Sequence, residues 1–145
     1  MKLDPNYSEA LAALAVCIGR LTIGGWMAGW GEGGAEARDI ALQAVRADPE
    51  NGTALSIAAW AIGSFTGPLE QGVDLARQAL RAHPNSAVVR TNCSWVFVCN
   101  NERDLALEHL HAARRISPLD PRGYITLNAI AAAHFCERRF DETVL

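Results

Sequence analysis

Four cysteines and four histidines are the side chains here with the chemistry for metal binding or nucleophilic catalysis. Their spacing argues against both. His109 and His111 are two residues apart, so on a helix they point to different faces and cannot chelate together. Cys93 and Cys99 are six apart and diverge for the same reason, and His134 and Cys136 are again two apart. There is no CxxC pair, so no metal site is expected. No GxSxG, no Ser/His/Asp combination and no paired acid and base stands out, so no catalytic residues are expected. Gly29-Trp30-Gly31-Glu32-Gly33-Gly34 satisfies GxGxxG to the letter. A dinucleotide site needs that loop after a strand, with its amides free to face phosphate. Here it follows an amphipathic helical pattern and carries Glu32 where phosphate would be repelled, so no cofactor is expected. Asn51-Gly52-Thr53 and Asn92-Cys93-Ser94 match the glycosylation pattern but read as incidental in a cytoplasmic helical protein.

Composition narrows the class. The chain has 145 residues, half of them hydrophobic and 20% charged, which excludes intrinsic disorder. Its net charge of −3 leaves no electrostatic footprint for nucleic acid or an anionic membrane surface. Alanine occurs 25 times, which favours helices and lets them approach closely, so an all-α fold is expected. The longest uncharged apolar run, Leu11 to Ile18, is far short of the roughly 20 residues that span a bilayer. Lys2, Asp4 and Pro5 do not open a secretory signal, so a cytoplasmic location is expected. The four cysteines (Cys17, Cys93, Cys99 and Cys136) all lie in apolar helical patterns and read as reduced, buried, small hydrophobes.

The elements that must position these residues come from a repeat. Pro49, Pro84 and Pro118 are spaced 35 and 34 residues apart. Twelve, eight and five residues before each proline stand Ala37, Ala41 and Ala44; then Gly72, Ala76 and Ala79; then Ala106, Leu110 and Ala113. Those offsets place each trio on one helical face. A second pattern falls six, nine, ten and thirteen residues after a proline. It reads Leu11, Leu14, Ala15, Ile18; Leu55, Ala58, Ala59, Ile62; Arg90, Cys93, Ser94, Phe97; and, from Pro121, Leu127, Ile130, Ala131, His134. First helices are expected near 6–20, 52–65, 86–99 and 121–136, and second helices near 35–47, 69–82 and 103–116. Asn51, Asn85 and Asp120 are the expected N-caps.

The unit of helix, turn, second helix and closing proline resembles the tetratricopeptide repeat over nearly the whole chain. Arg90 at a normally apolar site and His134 in place of an aromatic are its departures. The resemblance implies a right-handed superhelix of antiparallel helix pairs in one domain spanning 1–145. Its repeats would be 6–49 with a Gly/Trp-rich insertion over 22–34, then 50–84, 85–118 and an incomplete 121–145. Arg115-Ile116-Ser117-Pro118-Leu119-Asp120-Pro121, Ala131-Ala132-Ala133-His134-Phe135, Arg139-Phe140-Asp141-Glu142 and the Gly25-Trp26 insertion narrow the likeness. They look like the C-terminal repeat region of alphaproteobacterial adenylate/guanylate cyclase-like proteins, in which a class III cyclase or a winged-helix DNA-binding domain comes first. That implies a non-enzymatic interaction segment of a bacterial signalling protein, excised from a longer chain. Leu3-Asp4-Pro5 reads as the tail of a preceding repeat.

In this repeat family the first helices line a groove, at positions seven, eleven and fourteen after each proline. The candidate partner-binding residues there are Ser56, Trp60, Thr91, Trp95, Asn128 and Phe135. Trp60 and Trp95 hold equivalent positions in successive repeats, so their side chains are expected side by side, as at an interaction hot spot. The insertion is expected to be a long loop, with Trp26 and Trp30 packing back on the repeats or meeting a partner. No lysine lines the groove, which argues against a clamp for a peptide's carboxylate end. An apolar or weakly polar protein or peptide segment is the expected partner, and homodimerisation through exposed repeat ends is expected as well.

Overall fold

The computed structural model describes residues 7–26, 29–65, 67–138 and 140–143. Leu3-Asp4-Pro5, Asn6, Met27, Ala28 and Arg139 of the patterns above lie outside them. Among the described residues eight helices follow in order: α1 (Ser8–Ile23), α2 (Trp30–Ala47), α3 (Gly52–Ser64), α4 (Leu69–Ala82), α5 (Ala87–Cys99), α6 (Arg103–Ile116), α7 (Gly123–Cys136) and α8 (Phe140–Thr143). Among the described residues there is no strand.

Each helix packs on the next, and α1 with α3, α3 with α5 and α5 with α7 pack as well. The odd helices therefore form a continuous inner layer. α2, α4 and α6 lie outside it, each wedged between two odd helices, and α8 packs on α7. This is the packing of a helical-repeat superhelix built from antiparallel pairs. All nine residues of the three pre-proline trios are buried, because they are where α2, α4 and α6 press on the inner layer. α4 and α6 bury one stripe and expose charge on the other. α3 is buried nearly all round, which suits its run of Ala, Leu and Ile between four neighbours.

The post-proline pattern is buried through most of its length, from Ala15 and Ile18 to Ile130 and His134. Leu11, Arg90, Leu127 and Ala131 are partly buried, and Leu14 is exposed at 48%, since α1 contacts α2 and α3 and no described helix covers its far side. Arg90 is accommodated rather than buried alone. Its Nε donates to the Pro84 carbonyl at 2.8 Å, and its Nη1 donates to His109 Nδ1 at 2.7 Å. A guanidinium only donates, so Nδ1 must accept and carry no proton. The His109 ring stacks on Phe97 with centroids 5.8 Å apart. Burial first, and the Arg90 charge second, hold the His109 imidazole below its ordinary 6.5, against a smaller opposing pull from Glu108. The unfolded chain then binds this proton more readily than the folded one. The contribution of His109 is complete above pH 6.5 and is lost as pH falls from there through the lowered value of the folded state. Urea midpoints should drop on mild acidification, and less so in Arg90→Gln; an equal drop in both proteins would contradict this account.

The helix ends follow local chemistry. Asn51 Oδ1 accepts from the backbone N–H of both Thr53 and Ala54 at 3.1 Å, as expected of a cap. Asn51→Ala should cost about 1 kcal/mol in a denaturant titration, and a loss of only a few tenths would refute that role. Asn85 does not cap α5. The turn after His83 carries the chain one residue further, and Ser86 Oγ accepts from Val89 N instead. Asp120 caps no helix either: its Oδ1 accepts from Arg122 N at 2.8 Å in a second turn. The chain turns twice between Ser117 and Gly123, so α7 starts at Gly123 rather than 121. Asn101 takes φ 64°, and the bonds Glu102 N–H to Phe97 O and Asn101 N–H to Val98 O close the end of α5 around it.

The 22–34 insertion is not a long loop. α1 runs on to Ile23 and α2 already begins at Trp30, which leaves six residues between them. The glycines make this possible by letting helices touch. A Cβ on Gly33 would strike the Thr22 side chain, and one on Gly34 would stand 2.7 Å from Phe65 Cβ. Of the three GxGxxG glycines, Gly34 thus serves helix packing, while Gly31 faces open space and Gly29 meets only Glu32. The Glu32 carboxylate folds back beside Gly29, where an anion at the N-terminus of α2 would have to sit.

A candidate binding cavity on the first-helix face

The inner layer forms a half-open cavity of about 330 Å³. α1 contributes Val16, Arg20 and Ile23, α3 contributes Trp60, α5 contributes Asn92 and Trp95, and α7 contributes Tyr124, Ile125 and Asn128, with Gly24 at the rim. The two tryptophans share this cavity, as their equivalent repeat positions require. Trp60 also has a structural task. Its indole lies over Gly19, where a Cβ would come within 2.6 Å of it, and its ring meets Phe65 edge-on at 5.7 Å. Trp95 is half-buried against the core beside it.

Of the other groove candidates, Asn128 lines the cavity and three do not. Ser56 is fully buried: its Oγ donates to Thr53 O at 2.8 Å and accepts from Asn92 Nδ2 at 3.2 Å. Thr91 is buried too, its hydroxyl 2.9 Å from that of Thr126. Position seven of α3 and α5 therefore falls in the seam between neighbouring first helices, whereas Asn128, the same position on α7, stays exposed at the cavity. Phe135 is 60% exposed and off the cavity, near the end of α7. In the insertion, Trp30 packs back as expected, its ring 5.7 Å from Phe65. Trp26 does not: it is 82% exposed and shields only Gly24.

The pattern missed the contact that shapes the cavity. Arg20 Nη1 donates to Tyr124 Oη at 3.2 Å, joining α1 to α7 across 104 residues. Val16, Arg20 and Ile23 do fall on one stripe, but which residue of α7 meets them depends on the curvature of the whole stack. Among the described residues, no Asp or Glu lines the cavity and no carboxylate pairs with Arg20.

The cysteine expectation needs correction. Cys93 alone is buried, its thiol donating to Ala76 O at 3.5 Å and pushed up to about 12 by burial. Cys17, Cys99 and Cys136 are free thiols at the surface. Cys99 donates to Gly63 O at 3.3 Å, and burial first, then nearby Cys136, hold its thiol above the ordinary range. The alanine-rich first helices have broad apolar faces, so sequence phase alone could not say which cysteines point outward. Among the described residues, no three His, Cys, Asp or Glu side chains gather as a metal site would need. No described helix is long and apolar enough to cross a membrane.

Compared with known proteins, the sequence matches no family model and no curated protein.

Proposed function

We propose that this chain is a non-enzymatic protein-interaction segment of the tetratricopeptide type, belonging to a bacterial signalling protein with a class III nucleotide cyclase domain and working in the cytoplasm. The observation that carries this reading is the placement of Trp60 and Trp95 on one cavity in the inner layer of a helical-repeat stack. Tryptophan offers large apolar area with one donor and dominates binding hot spots. The Arg20–Tyr124 bond crosses the same face, so a partner engages it by inserting an anchor side chain rather than by laying a whole helix through it.

Trp95→Ala is the cleaner test, because Trp60 also covers Gly19 and Phe65. Cross-linking in source cells identifies the partner, and binding is then compared for wild type and Trp95→Ala. Loss of the partner with the helical signal and melting cooperativity intact supports the reading; retained binding refutes it. A thermal-shift screen of ATP, GTP and NAD tests the non-enzymatic half, and a saturable stabilisation by any of them would overturn it.

A further inference from the structure

We propose that the cavity between α1, α3, α5 and α7 is a binding site for a small aromatic monocarboxylate, its ring against Trp60 and Trp95 and its carboxylate on Arg20 and Tyr124. The proposal rests on the first-helix face being the binding face, and makes that face responsive to a small molecule.

Size comes first. About 330 Å³ lies at the low end of ligand pockets, which suits a single ring with a short acid arm. The walls set the body of the ligand. Two indoles with Val16, Ile23 and Ile125 favour a flat apolar group, and aromatic rings gain from offset or edge-on contact beyond the area they bury. The rim sets its charge. Arg20 is the one charged residue lining the cavity, and it has no carboxylate partner among the described residues. Its one hydrogen bond among the described residues uses Nη1, and Tyr124 Oη accepts it, so the Tyr124 O–H still has its proton to donate. The other guanidinium N–H groups and the Asn128 carboxamide complete a set of donors with no acceptor of their own. Donors around one cation, over an apolar floor and with the nearest acid, Asp120, in the adjoining pocket beside Arg122, select an organic anion over a neutral or cationic molecule.

The location gives occupancy a consequence. Arg20 belongs to α1 and Tyr124 to α7, so a carboxylate that bonds both ties the first and last long helices together at a fixed curvature. A partner's anchor side chain would compete for the same space.

The test titrates phenylacetate, phenylacetamide and phenylethylammonium into the full chain. The readout is the indole N–H resonances of Trp60 and Trp95, assigned with Trp60→Phe and Trp95→Phe. Saturable shifts of both indoles with phenylacetate are expected. Affinity should be weaker by about tenfold or more for phenylacetamide and for phenylacetate with Arg20→Gln, as losing a charge-assisted hydrogen bond implies. Phenylethylammonium should not bind, and Arg20→Lys should recover part of the affinity, which separates loss of charge from misfolding. Absence of saturable shifts with phenylacetate, or equal binding of the three probes, overturns the proposal. If that happens while Trp95→Ala still loses its protein partner, this proposal fails and the interaction reading stands. If Trp95→Ala keeps its partner while phenylacetate binds as expected, the reverse holds.

Discussion

Phe97→Ala should lower folding stability by about 3–5 kcal/mol, one of the two largest losses expected from a single substitution in this chain. Phe97 is the largest side chain with no solvent exposure. It sits in α5, which contacts α3, α4, α6 and α7, so the cavity left by truncation opens at the centre of the stack. The surroundings cannot collapse easily into it, because Val89, Val96 and Leu110 are themselves fully buried and held by three further helices. The His109 ring that stacks on Phe97 would lose its support, and with it the geometry of the Arg90 bond. Against a typical total of about 5–15 kcal/mol, such a loss brings the fold close to its limit. Thermal melts should show a fall of roughly 6–20 °C, and urea titrations a lower midpoint. Phe97→Leu keeps most of the volume and should cost clearly less. A loss under about 1 kcal/mol for Phe97→Ala would mean that the centre of the stack is loosely packed.

The parts of this fold that are legible in the sequence are those set by local periodicity. Ala41, Ala76 and Leu110 stand at one offset from three prolines, and the same wedge between inner helices buries all three. The placement of Trp60 and Trp95 on one cavity follows from the same logic, since equivalent positions in successive repeats lie on adjacent helices. What periodicity cannot supply is distance between helices. Ser56 and Thr91 share a stripe with the tryptophans, yet the close approach of α3, α5 and α7 draws their short side chains into the seam while the larger indoles reach beyond it. Curvature is equally invisible locally. Arg20 meets Tyr124 only because seven helices bend far enough to bring α1 to α7. The insertion failed differently: its glycines read as loop residues, but Gly33 and Gly34 are contact points for Thr22 and Phe65.

Close approach also underlies the second large effect, at Gly72. It stands twelve residues before Pro84, where the other two repeats have alanine, and it is buried in the first turns of α4. A Cβ there would lie 2.9 Å from Val96 Cγ2 and 3.1 Å from Ile62 Cγ2, both on the inner layer. Two terms oppose each other in Gly72→Ala. Removing glycine from a helix gains roughly 1 kcal/mol of propensity, while the tight methyl contacts must open by a few tenths of an ångström. Val96 and Ile62 are β-branched and held by buried neighbours, so they yield at a cost of similar size, and Gly72→Ala should be within about 1 kcal/mol of wild type. Gly72→Leu has no such balance. Its branched end would have to enter the seam between α3, α4 and α5, so overpacking should cost about 1–3 kcal/mol or more despite leucine's better propensity. The discriminating measurement is the difference between the two variants in urea titrations at matched slope. A leucine variant as stable as the alanine one would show that α4 can move outward freely. The even helices would then be loosely held on the inner layer, not wedged between its members.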